Sequence, residues 1–202
     1  MRALVLFAHP NPESYGAALH AAVIATLRQM GHTVDDCDLY AEQFQPLLTR
    51  EERVHYHHSP ANVEPVAGYV ERLRSADMLI LVAPVWNFGW PAILKGFLDR
   101  VFLPEVSFRL HEGRVSGALT NIHRIVVVTT YGATRWRAFL MGDPPRKLAM
   151  RMLRAATGFK ATVHYLAHYD MNRSTDDSRA AFMAKVRAKI GTIRVRMPAG
   201  NG

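Results

Sequence analysis

"ADMLILVAPVWNFGWPAILKGFLDR" occupies residues 76–100. Met78 to Ala83 form an unbroken apolar run, and Pro84 follows directly. Trp86, Phe88 and Trp90 then fall within five positions, before Pro91 opens a segment with helical spacing. A short apolar run bounded by a breaker fits a strand buried on both faces. Proline at the first turn of a helix does no harm, because its missing N–H would have no partner there. The stretch therefore predicts strand, stiff turn and helix.

The rest of the chain repeats that order. Ala3–Ala8 is a short apolar strand. Ser14 to Met30 is a helix whose stripe is Ala17, Ala18, Ala21, Ala22, Ile24 and Leu27, closed by Gly31. "HTVDDCDLY" (32–40) alternates as a partly exposed strand. Residues 41–60 form a long connection with one helical turn at Thr49–Arg53, and Val63 to Ser75 is a helix. Residues 104–120 are loop-rich. "RIVVVTTYG" (124–132) is a buried strand, Pro145 to Thr157 a helix, and "ATVHYLAHY" (161–169) the fifth strand. A last helix covers Ser174 to Ile193, with Ser174 or Thr175 as cap and Asp176–Asp177 in its first turn, where the helix dipole favours acid. Five apolar strands alternating with helices predict an α/β fold, a doubly wound five-stranded parallel sheet of flavodoxin-like order 2-1-3-4-5. The single domain is expected over 1–196, with 197–202 a disordered tail.

Bulk properties narrow the function. A chain of 202 residues with 49% apolar content suits one globular domain. Its formal charge is +8, but the arginines are scattered and no nucleic-acid motif is present. A basic surface that attracts anionic small molecules fits better, and no nucleic-acid partner is expected. The one cysteine, Cys37, permits no intrachain disulfide, so a reducing cytoplasm is the expected compartment. No apolar stretch approaches the roughly 20 residues of a membrane span.

In a doubly wound sheet, ligands sit beyond the carboxyl ends of the strands, where the winding reverses. That places the loops after strands one, three and four together. The first, "HPNPESYGAAL" (9–19), runs into a helix N-terminus, a natural phosphate site. Ser14 can cap the helix or meet an anion, Gly16 permits close approach, and His9 can add a hydrogen bond. An ordinary capped turn reads the same way. Neither G-x-G-x-x-G nor G-x-x-x-x-G-K-[ST] occurs there. In the second loop, Trp86, Phe88 and Trp90 share parity, so an extended backbone would aim all three one way. Such a turn suits a flat ligand like an isoalloxazine ring, or an apolar interface. The third, "TTYGATRW" (129–136), offers Thr129 and Thr130 hydroxyls, Gly132, and Arg135 and Trp136 for a nucleotide or a ring.

With these loops in view, the chain resembles the flavodoxin-like NAD(P)H:quinone oxidoreductase family, which includes DT-diaphorase and the short bacterial quinone reductases. The carrying residues are "LFAHPNPESYGAAL" (6–19), "DLYAEQFQPLLTREE" (38–52), "PVWNFGWPAILKGFLDRVF" (84–102) and "TTYGAT" (129–134). The resemblance implies a non-covalent flavin, FAD or FMN, reduced by NAD(P)H, with a quinone or similar planar acceptor. It also implies a homodimer with the active site at the subunit interface. By position, His9, Ser14, Tyr15, Gly16 and Ala17 would hold flavin phosphates. Pro84, Val85, Trp86, Asn87 and Phe88 would hold the ring, and Thr129, Thr130, Tyr131 and Gly132 its polar edge. Trp86, Arg135 and Trp136 are the candidates for substrate contact, and no side chain is assigned as catalytic. The sequence departs from the family in two places. Tyr131 stands where relatives have a glycine, as a pocket wall or lid. Arg137 and Asp143 fall near the family's Tyr/His pair, whose role is therefore not carried over. A flavodoxin-type electron carrier, or a regulatory flavoprotein subunit of a transport system, is the alternative.

Other residues invite less. His55 to His58 lack a carboxylate or cysteine partner, so no metal is expected. His164 and His168 share one face of the fifth strand, and Cys37 and the methionines between Met141 and Met152 suit packing.

Overall fold

The computed structural model describes residues 1–193. The tail expected at 197–202 lies outside the described residues. Five parallel strands make the main sheet: β1 (Arg2–Phe7), β2 (Thr33–Asp38), β3 (Met78–Val85), β6 (Arg124–Tyr131) and β7 (Thr162–His168). Their order is β2-β1-β3-β6-β7, the 2-1-3-4-5 winding once the strands of this sheet are counted alone. Leu6 lies opposite Leu81, and Leu81 opposite Val127, so the central strands stack apolar residues in register. All eight residues of β3 are buried, as the continuous apolar run demands.

Helices cover both faces. On one, α1 (Tyr15–Gln29) and α8 (Asp176–Gly191) pack Val23, Leu27 and Val186 onto Val5, Ile80 and Val126. On the other, α3 (Ala67–Ser75), α4 (Ala92–Val101) and the segment before β7 pack Leu73, Leu94, Phe97 and Leu153 onto Leu4, Leu81 and Val127. Each such side chain removed from water contributes about 1.5–3 kcal/mol. The helical turn expected at Thr49 is α2 (Arg50–Val54), with a capping box between Thr49 and Glu52. Glu52 also receives Arg100 Nε of α4 at 2.8 Å, tying the long connection to the helix behind the aromatic turn.

Four elements differ from expectation. The helix predicted over Val63–Ser75 begins as a 3-10 turn, Ala61–Val66, because Pro65 supplies no N–H for an α ladder. The single helix predicted over Pro145–Thr157 is a composite: α6 (Pro144–Lys147), a π turn (Leu148–Leu153) and α7 (Arg154–Ala156). A further short helix, α5 (Arg135–Leu140), precedes it, capped by the Thr134 hydroxyl, which accepts from the Arg137 N–H at 3.3 Å. The loop-rich stretch holds a hairpin, β4 (Phe108–His111) and β5 (Arg114–Gly117), turning through Glu112 and Gly113 at φ 49° and 76°. Its strands are mostly exposed, so no alternating burial pattern marked them. Gly117 docks it: a Cβ there would stand 2.2 Å from the Ala155 carbonyl oxygen.

Candidate functional site

The carboxyl ends of β1, β3 and β6 meet at one rim, where the backbone N–H of Ala8 donates to the Val82 carbonyl at 3.1 Å. A hollow of about 590 Å3 opens there, of a size that holds a cofactor. β1 supplies His9 and the start of α1. Ser14 caps that helix, accepting from the Ala17 N–H at 3.1 Å, while its carbonyl takes the Ala18 N–H. The N–H groups of Tyr15 and Gly16 therefore have no intrahelical acceptor, and both residues line the hollow. The first turn carries no acid of its own at the positive end of the dipole. His9 Nδ1 accepts the Asn11 N–H at 3.1 Å, which places the proton of the neutral ring on Nε2. A Cβ on Gly16 would meet only His9 and Ser14, at 3.5 Å, so the fold itself tolerates a larger residue. What glycine preserves is open space before the free N–H groups.

The aromatic turn is not extended. Asn87 and Phe88 both have positive φ, 49° and 57°, and Trp86 and Gly89 exchange backbone hydrogen bonds at 3.0 and 2.8 Å. This is a two-residue hairpin. The common direction expected for Trp86, Phe88 and Trp90 is therefore overturned. Trp86 is 41% exposed and faces the hollow, edge-on to His9 with 5.7 Å between centroids. Trp90 is buried in the core. Phe88 is half-buried and is not among the lining residues, whereas Pro84, Val85 and Asn87 are.

The β6 loop divides the residues proposed for it. Thr130 and Gly132 line the hollow. Thr129 is buried, and its hydroxyl donates to the Ala83 carbonyl at 2.6 Å, which clips β6 to β3. Tyr131 is neither wall nor lid: its side chain is 1% exposed and packs on Val85 and Ala138. Its hydroxyl donates to Asp143 Oδ1 at 2.6 Å and lies 2.5 Å from the Tyr165 hydroxyl. Burial, then Tyr165 and Asp143, push the Tyr131 phenol far up, so it stays protonated. Ala17, in the first turn of α1, packs against the core rather than lining the hollow. Arg135 and Trp136 stand on α5, outside this hollow, as does Arg137. Two lining residues escaped the sequence reading, Met171 and Asn172 after β7. A Cβ on Gly132 would press Asn172 Oδ1 at 3.3 Å, so that glycine leaves room for the neighbouring loop. Nothing in their composition marked them, because they follow the last strand of the sheet.

No Asp or Glu lines the hollow. Free backbone donors share the hollow with an exposed indole and with Asn87 of the hairpin. That donor set suits a planar heterocycle with a phosphate tail, and the residues present fit a flavin nucleotide.

Residues 1–190 match the family model of the flavodoxin-like fold. The chain belongs to this family. It is similar to an uncharacterized NAD(P)H oxidoreductase of Haemophilus influenzae, 34% identical over 124 residues, covering 60% of each chain. Smu.1420 from Streptococcus mutans UA159 superposes with a TM-score of 0.83 at 28% identity, over 96% of this chain and 100% of that one. An NAD(P)H:quinone oxidoreductase from Methanothermobacter marburgensis follows at 0.80 and 26% identity, over 95% and 98% of the two chains. The chain spans between 54% and 60% of the length of the first curated relatives it matches. The flavodoxin-like fold expected from the sequence is this family's, and relatives named as NAD(P)H and quinone oxidoreductases stand among the proteins the chain is similar to.

Proposed function

We propose that the protein is a flavin-dependent NAD(P)H oxidoreductase acting on a quinone or similar planar acceptor. The observation that carries this reading is the carboxylate-free hollow, lined by both the open N–H groups of Tyr15 and Gly16 and the exposed ring of Trp86. The names of its relatives agree. Bound there, FAD or FMN would supply hydride transfer between the nicotinamide donor and the acceptor. The chain's own residues bind and orient. Tyr15 and Gly16 N–H groups, with the Ser14 cap holding them in place, would take the phosphate. Trp86 would offer a face to a flat ring, and Asn87 and Thr130 polar contacts at its edge. We propose that a second copy completes the rim. The face lined by α4, the β4–β5 hairpin and the 144–159 segment carries an apolar hollow of about 810 Å3, flanked by Val115 and Phe159, 70% and 63% exposed.

Purified protein is expected to be yellow, to release FMN or FAD on denaturation, and to bleach with NADPH or NADH. Light scattering is expected to give twice the 22.7 kDa of one chain. A protein that binds neither flavin on titration removes the oxidoreductase reading, and a monomer removes the shared site. The basic net charge and the aromatic turn favour this reading over an electron carrier, whose mark would be a stable one-electron state of the flavin.

A further inference from the structure

A second hollow, of about 440 Å3, opens on the other side of the β6 loop. The two share a wall. The loop between Gly132 and Arg135 is held by the Asp170 N–H donating to the Ala133 carbonyl at 2.9 Å, and Tyr169 and Met171 flank that bond on either side. Arg135, Arg146, Lys147 and Arg151 line the second hollow. Among the described residues none of these four has a carboxylate oxygen within 4.0 Å. The one carboxylate in the lining, Asp143, is engaged by the Tyr131 hydroxyl. Arg146 is pre-set over the Tyr165 ring at 5.4 Å.

Beside these cations stands an aromatic ledge. Trp136 and Phe139 on α5 stack with 5.6 Å between centroids and 23° between planes. They are 64% and 67% exposed, and Phe139 also lines the hollow. A solvent-facing ring pair next to unpaired guanidinium and ammonium groups is the recognition chemistry of a nucleotide. Phosphate oxygens meet the cations, and a purine stacks on the rings.

We propose that this hollow and ledge hold the adenosine-phosphate half of the nicotinamide donor, while its redox end reaches the rim hollow over the shared loop. The inference rests on the oxidoreductase reading. The phosphate has two possible sources, the 2′-phosphate of NADPH and the 5′-pyrophosphate common to both donors.

The test is calorimetric titration of the flavin-loaded protein with 2′-AMP and with ADP. Lys147→Ala/Arg151→Ala is expected to weaken binding about tenfold. Phe139→Ala is expected to weaken it about threefold. Lys185→Ala/Arg187→Ala, on α8 and away from the hollow, is expected to change nothing. Loss confined to 2′-AMP identifies the 2′-phosphate, and loss of ADP binding identifies the pyrophosphate. In either case the KM for the donor rises by the same factor. Absence of binding by both nucleotides, or binding indifferent to Lys147→Ala/Arg151→Ala, overturns the proposal. Flavin absorbance, read in the same samples, separates that failure from failure of the oxidoreductase reading.

Discussion

The turn after β3 and the loop after β6 leave adjacent strands at the same level, with Val85 opposite Tyr131. They use their aromatic residues in opposite ways. The β3 turn folds at once into a tight hairpin through two left-handed residues, which throws Trp86 outward and Trp90 inward. The β6 loop forms no such hairpin: Tyr131, the last residue of the strand, lies in the interior, and the loop beyond it leaves cations and a ring pair on the outside. Residue type does not decide which side a ring faces. After β3 the left-handed torsions of Asn87 and Phe88 do, and in β6 the place of Tyr131 at the end of a buried strand does.

Trp90 offers the strongest way to break this comparison. If it is core, Trp90→Ala destabilises by about 3–5 kcal/mol, as large-to-small core changes do. Urea unfolding measures this through a lower midpoint at unchanged slope. A loss below about 1 kcal/mol would mean that Trp90 shares the outward role of Trp86 and that the hairpin is not the dominant form.

The same torsions explain what was legible in advance. The sheet order followed from apolar runs alternating with helices, because period and burial are written in residue type. The capped start of α1 followed from Ser14 and the turn at Thr49 from its box with Glu52, since capping is local chemistry. The hairpin at Asn87–Phe88 was not legible. Neither residue is glycine, and the parity argument assumed an extended chain. The inward course of Tyr131 was hidden for a similar reason: its partners, Asp143 and Tyr165, lie 12 and 34 residues away in sequence. The β4–β5 hairpin was missed because its side chains face solvent and its anchor is one close backbone approach at Gly117.

Tyr131 sharpens the contrast from the other loop. Tyr131→Phe keeps the ring and removes the hydroxyl that joins Asp143 to Tyr165. The cost is expected at about 2 kcal/mol at neutral pH, the penalty for leaving buried polar partners unpaired. The pH dependence gives a second reading. Burial raises the Tyr131 phenol above its unfolded value of about 10. A group raised in this way stabilises the fold fully below the unfolded pKa. That contribution is lost as pH climbs, because the unfolded chain releases a proton that the folded chain retains. Above about pH 10 the wild type should lose stability more steeply than Tyr131→Phe, by about 1.4 kcal/mol per pH unit. Parallel slopes would mean that the hydroxyl is solvated and that the loop after β6 resembles its neighbour after all.

The smallest stability effect falls on the residue with the largest proposed role. Trp86 is 41% exposed, with His9 as its aromatic neighbour, so Trp86→Ala should shift unfolding by less than about 0.5 kcal/mol. The same change removes the one exposed indole of the rim hollow. Flavin affinity is expected to fall about three- to tenfold, the range of an aromatic contact beyond simple burial. The pairing with Trp90 makes the result decisive: one tryptophan should cost stability, the other ligand. Flavin titrations of Trp86→Ala at concentrations where the wild type saturates would show partial occupancy in a fully folded protein. Unchanged affinity in such a protein would place the planar ring elsewhere on the rim, and with it the role assigned to the hairpin.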